Sequence, residues 1–170
     1  MTTQNQDPQE PSQPSERAPI FAKFPPPFLF VVVYFIGLVI GHEVPLDVVP
    51  SGIGLGAAIL GGFLVVVGFL IAIASFVMFI HRGTTLLPHG HPMHLVDMGP
   101  FLISRNPMYL SLVLIYAGAA IWQLALWPLI LLLIPFFIMN SIVIPFEERR
   151  LRAIFGKSYE EYAGKVHRWF

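Results

Sequence analysis

The chain has 170 residues, 55% of them hydrophobic and only 12% charged, with a mean hydropathy of +0.70. A soluble domain carries roughly 25% charged residues, so the composition excludes an ordinary soluble fold and indicates a membrane protein with room for one compact domain and no separate soluble catalytic unit. The lack of cysteine excludes disulfides, thiolate metal sites and cysteine nucleophiles, and the net charge of zero speaks against nucleic acid as a partner.

The chain opens on "MTTQNQDPQEPSQPSER", which is rich in Gln, Pro and Ser and has no apolar run. Such a stretch cannot bury enough surface to fold alone. Residues 1–22 are therefore expected to form a disordered cytoplasmic tail, and 23–170 the membrane domain. The tail has no signal-peptide core, so the first apolar segment is expected to stay as an anchor.

A helix needs about 20 apolar residues to cross the hydrocarbon, and four segments approach that length. The first is about Pro27 to Gly41, and the second, Ile53 to Ile80, is long enough that it must tilt or project. The third and fourth, about Met108 to Ile121 and Leu124 to Ile144, are parted only around Trp122 and Gln123, which predicts a tight helical hairpin. Pro128, Pro135 and Pro145 are expected to kink or segment the last helix. In this arrangement all ten Lys and Arg fall on one side, whereas the opposite loops hold Glu43 and Asp47. The positive-inside rule then places both termini in the cytoplasm. The expected fold class is all-α integral membrane, with about four transmembrane helices and a site built from a cytoplasmic loop and C-terminal interfacial helices.

The second segment contains "SGIGLGAAILGG", with Gly52 and Gly56 at GxxxG spacing and Gly61, Gly62 and Gly68 after them. Small residues of this kind let helices approach closely in lipid, so the expected role is helix packing. No strand precedes the run and the GxGxxG spacing fails, which excludes a dinucleotide fingerprint.

Polar residues gather between the second and third segments. His89, His91 and His94 lie in a Gly/Pro-rich loop without helical spacing, with Asp97 as the one nearby carboxylate, so no metal site is expected. In "SRNPMY", Pro107 suits the first turn of a helix, with Asn106 as N-cap and Tyr109 pointing into the bundle. The free N–H groups of that helix start, with Arg105 beside them, would suit a ligand carboxylate. A capped helix with an interfacial Arg and Tyr is the plainer alternative.

After the fourth segment, Glu147 and Glu148 stand at the expected membrane boundary, where carboxylates need partners: Arg149 to Arg152, or a cationic ligand. Leu151, Ile154, Phe155, Tyr159 and Tyr162 recur at helical spacing around a break at Gly156, which predicts an interfacial helix pair lying largely along the headgroups. A pocket with an arginine and a helix start at one place, two carboxylates at another and apolar walls fits a zwitterionic, partly cationic molecule meeting a lipophilic substrate. S-adenosylmethionine (SAM) has that profile.

From Gly83 onward, "GTTLLP", "LVDMGPFLISRNPMYLS", "EERRL" and "FGKSYEEY" resemble, in order and spacing, the isoprenylcysteine carboxyl methyltransferase family, relatives of the phospholipid N-methyltransferases. The resemblance is to a prokaryotic-type member, which implies a bacterial or archaeal cell membrane, and it implies a helical membrane fold that transfers a methyl group from SAM. Carried over by motif, Met93, His94, Leu95 and Val96 would follow the SAM-binding strip, with Gly99 and Phe101 at the Gly-Pro turn after it. Asn106, Pro107, Met108 and Tyr109 match the family's His-Pro-x-Tyr, and Glu147, with Glu148 as neighbour, matches its cofactor-binding glutamate. The expected catalytic group is Arg105, Asn106 and Tyr109. Two departures bear on substrate: Asn106 replaces a histidine and cannot titrate near neutral pH, and Val143 replaces an arginine associated with the substrate carboxylate.

The expected reaction is in-line methyl transfer to a small lipophilic or lipid acceptor at the cytoplasmic face, with no general base. The rival readings are an NADPH-dependent membrane reductase, for which more basic residues would be needed, and a non-catalytic scaffold. Neither the acceptor nor the oligomeric state follows from the sequence.

Overall fold

The computed structural model describes residues 25–46, 52–81 and 98–170, all helix or connecting turn with no strand among them. Helix α1 spans Pro26–Glu43 and α2 Gly54–His81. A 3-10 turn, Gly99–Leu102, leads to α3, Pro107–Trp122. Then follow α4 (Leu126–Leu131), α5 (Leu133–Ile138), a π turn (Met139–Val143), α6 (Ile144–Phe155) and α7 (Lys157–Lys165). The 1–22 tail, the His89/His91/His94 loop and the expected cofactor strip Met93 to Val96 lie outside the described residues.

Three stretches are long and apolar enough to cross a membrane: Pro26–Glu43, Gly54–Met78 and Leu126–Phe155. The fourth expected span, α3, has 16 residues, about 24 Å at 1.5 Å per residue. Large apolar side chains such as Leu55, Ile59, Phe63, Leu70 and Ile73 on α2 and Phe28, Phe35 and Val39 on α1 are more than half exposed. In water that would be an untenable surface, and in lipid it is the expected one.

Small residues set the packing. A Cβ at Gly61 would fall 2.5 Å from the Gly118 carbonyl oxygen, and one at Gly68 would meet Ile115 and the Ser111 carbonyl, so α2 and α3 lie backbone to backbone. The expectation of close packing therefore holds at Gly61 and Gly68. The Gly52/Gly56 pair that suggested it has open space around both positions, because Gly52 precedes the helix and Gly56 faces away. On the other side, Gly37 of α1 presses on the backbone of Pro128.

The last span is segmented, as the prolines suggested, and their positions show how. Pro128, Pro135 and Pro145 each sit within the first three residues of α4, α5 and α6. There the missing N–H costs least. Pro145 cannot donate back to Ser141, and the π turn lies just before it. The helix does not stop at Ile144 but runs on to Phe155, which carries Glu147 and Glu148 on a continuation of the membrane span. Between α3 and α4 the hairpin is tight: Ala125 N–H reaches the Ala120 carbonyl at 2.8 Å, and Leu124 takes a φ of 53°. That is a Schellman-type ending with Leu in the place usually held by Gly.

The central core consists of Phe30, Tyr116, Met139, Val143 and Ile144, with Tyr109, Tyr34 and Trp169 against it. The α6/α7 pair breaks at Gly156 as expected, and one face of it packs on the protein. Tyr159 and Tyr162 are 1% and 9% exposed, packed against Leu151, Phe155 and Val166, and the Tyr162 hydroxyl donates to the Phe101 carbonyl at 2.7 Å.

Candidate functional site

The first turn of α3 and the first turn of α6 meet at a single side-chain pair. Pro107 starts α3 at the position where its missing N–H is harmless, which puts Tyr109 on the face toward α6. The Tyr109 hydroxyl donates to Glu147 Oε1 at 2.7 Å. Glu147 itself is half-buried near the end of the apolar stretch, with the Arg150 charge acting on it. A group of that kind is costly without a cationic or donor partner.

Glu148 is in a different situation. It is 4% exposed and gripped from two sides. Arg168 donates in forked fashion, Nε to Oε1 at 3.1 Å and Nη2 to Oε2 at 2.7 Å, while Arg105 Nη2 lies 3.0 Å from Oε1. The hydrogen bond to Glu148 holds the Arg168 guanidinium above its ordinary pKa, so this end of the pair stays charged. Burial, with the Glu148 charge adding to it, pushes the neighbouring Tyr159 phenol up and keeps it protonated. Arg149 to Arg152 are the expected partners of the glutamate pair: Arg150 acts on Glu147, whereas Glu148 is held by arginines distant in sequence.

Two further expectations change. Asn106 occupies the N-cap position but makes no side-chain cap; its amide donates to the Arg168 carbonyl at 3.1 Å, and its own N–H is satisfied by Ser104 Oγ at 3.1 Å. Arg105 is bound up with Glu148 and with the Ala163 carbonyl at 3.2 Å, so its fork is already used and does not present itself to a ligand carboxylate. Its Nε is buried with no partner among the described residues.

The structure thus brings Phe101, Arg105, Asn106, Pro107, Tyr109, Glu147 and Glu148 to one end of the bundle. Gly99, with φ of 60°, forms the turn leading in and packs near Met78 of α2. Positive φ there suits glycine. Val143, in place of the expected arginine, is 1% exposed within the apolar core.

Sequence reasoning missed Arg168, Trp169 and Asn140. Trp169 stacks on Phe136 at 5.1 Å and donates to Asn140 Oδ1 at 3.0 Å, and Arg168 leans on Asn140 at 3.4 Å. Asn140 could have been flagged as a polar residue inside an apolar span, on a π turn of the kind that often marks a functional place. Nothing local marks Arg168.

Among the described residues no group of His, Cys, Asp and Glu could hold a metal ion. The sequence model of the phospholipid methyltransferase family matches residues 57–158, more than half of the chain. Comparison with curated proteins gives no match.

Proposed function

This chain belongs to the phospholipid methyltransferase family and is a membrane methyltransferase; we propose that it takes the methyl group from SAM and delivers it to a small lipophilic acceptor at the cytoplasmic membrane face, in the manner of the isoprenylcysteine carboxyl methyltransferases. The observation that carries this reading is the Tyr109–Glu147 pair. It joins two helix starts near the end of an apolar span and places a half-buried carboxylate where a cationic group would be answered.

SAM fits that donor set: its ammonium charge, which SAH shares, would be answered by Glu147, whose cost of burial falls when a cation arrives. His94, Leu95, Val96, Gly99 and Phe101 would hold the rest of the molecule, with Asn106 and Pro107 fixing the start of α3 and Glu148 fixing the start of α6. Bound SAM supplies an activated methyl group. The chain's own contribution is to place Tyr109 and Glu147, exclude water and align an acceptor arriving from the lipid. An acceptor that arrives as a carboxylate or a free amine already has its nucleophilic electron pair, so no residue need remove a proton. With Arg105 turned to Glu148, its role is to hold the helix start, and Tyr109 is the residue of the expected catalytic group that faces the reaction.

The test is calorimetric titration of detergent-solubilised protein with S-adenosylhomocysteine (SAH), with NADPH and the Glu147→Gln variant alongside. SAH should bind, NADPH should not, and Glu147→Gln should weaken SAH binding by at least tenfold, since one charge-assisted contact contributes about 1.5–3 kcal/mol. Binding of NADPH alone would replace the methyltransferase reading with the reductase.

A further inference from the structure

The segment after α7 is not a loose end. At Val166 the chain turns extended, with φ of −118° and ψ of 130°, and crosses the approach to α3. Three hydrogen bonds fasten it there: Arg105 N–H to the His167 carbonyl at 3.0 Å, and both Ser104 Oγ and Asn106 Nδ2 to the Arg168 carbonyl at 3.2 and 3.1 Å. One residue further, Trp169 stacks on Phe136 of α5 and bonds Asn140 in the π turn. Between them the Arg168 side chain takes both oxygens of Glu148 on α6. A single short segment therefore binds the start of α3, the π turn and the start of α6.

Those are the elements that carry Tyr109 and Glu147. Glu148 follows Glu147 directly, and successive helix residues are 100° apart, so fixing the Glu148 carboxylate fixes the rotation at which α6 presents Glu147. Likewise Arg105 and Asn106 lie within one turn of Tyr109, and holding their main chain and side chains fixes where α3 begins. We infer that Arg168 is a positioning residue for the cofactor site: its fork on Glu148 and its carbonyl under Asn106 set the geometry in which Tyr109 meets Glu147. Arg168 lies beyond the residues matched to the family, 57–158. The inference rests on the SAM reading above.

A point charge cannot replace this fork. Arginine binds both carboxylate oxygens in one plane, whereas lysine offers a single ammonium. Arg168→Lys keeps the charge that Glu148 needs and loses the planar grip; Arg168→Met loses both while keeping an apolar stem.

Two readouts, taken on the full chain in detergent, test it. Amide hydrogen exchange over 104–109 reports whether the start of α3 is held, with α2 as internal reference; SAH titration reports the site. Arg168→Met should expose the Arg105 amide to exchange, leave α2 protected and weaken SAH binding about tenfold or more. Arg168→Lys should fall between, at about threefold, with an unchanged thermal midpoint, and it carries the test alone if Arg168→Met does not fold. SAH affinity unchanged in Arg168→Lys and Arg168→Met, with Glu147→Gln defective, overturns the inference and leaves the segment a stabilising staple. Failure of the unaltered protein to bind SAH overturns the SAM reading and this inference with it.

Discussion

Two adjacent carboxylates in "FEERR" occupy different environments, and the difference defines their roles. Glu147 is half-buried and accepts from the Tyr109 phenol; Glu148 is buried between two arginines. Removing one member of a buried charge cluster strands the others, at a cost of roughly 3–5 kcal/mol. Glu148→Gln should therefore lower stability by about 3 kcal/mol, the lower end because the Arg168 side chain is 31% exposed. A fall in the thermal midpoint of several degrees checks this, against little change for Glu147→Gln, whose defect should appear in SAH binding. Equal midpoints for the two variants would erase the division of roles. That both glutamates directly follow an apolar run is legible in the sequence. Which of them pairs with arginine was not, because Arg105 and Arg168 are 43 and 20 residues away from Glu148 in sequence, and only the fold brings them together.

At the scale of helices, the sequence carried much of the architecture because a lipid-facing helix must be apolar along its whole length and breaks at a few recognisable residues. The expected bounds of the first three segments fall within two residues of α1, α2 and α3. The fourth ran further than hydropathy suggested, since a helix does not end where it leaves the hydrocarbon; Pro145 sits at a helix start, and the ladder resumes through Glu147 to Phe155. Motif spacing also misled: GxxxG at Gly52 and Gly56 drew attention, while the close approach uses Gly61 and Gly68, seven residues apart on one helical face. Gly61→Ala forces a Cβ into the Gly118 carbonyl and should destabilise by about 1–3 kcal/mol. Gly56→Ala meets no neighbour and should stabilise by up to roughly 1 kcal/mol through helix propensity. Thermal unfolding of the two variants in the same detergent gives the comparison; similar midpoints would mean that α2 and α3 are not backbone-packed. The same reasoning explains the missed C-terminal segment, where neither periodicity nor a proline or glycine signal marks "VHRWF" as a partner for anything else.

For the molecule as a whole, the arrangement in the membrane follows from length and charge together. Three stretches can cross, and α3, about 24 Å long, is a few ångströms short of a hydrocarbon core of about 30 Å. Its ends answer that shortfall. On one side lie Arg105, Asn106 and the polar cluster around Glu148; on the other the Gln123 amide donates to the Tyr34 hydroxyl at 2.6 Å, and the Trp127 indole N–H donates to the Val44 carbonyl at 2.7 Å. Polar and aromatic groups at both ends let a short helix cross by placing its termini in the headgroups. If α3 crosses, Glu43 at the end of α1 and Glu161 in α7 lie on opposite sides, and the positive-inside rule predicts that Glu161, the candidate site and the basic C-terminal stretch are inside. The chain has no cysteine, so Glu43→Cys and Glu161→Cys each introduce one thiol, and both positions are exposed. A membrane-impermeant maleimide should label Glu43→Cys in intact cells and Glu161→Cys only after permeabilisation. Labelling of both from outside would mean that an odd number of spans separates the amino terminus from the site, and would place the methyl transfer on the wrong face for a cytosolic cofactor.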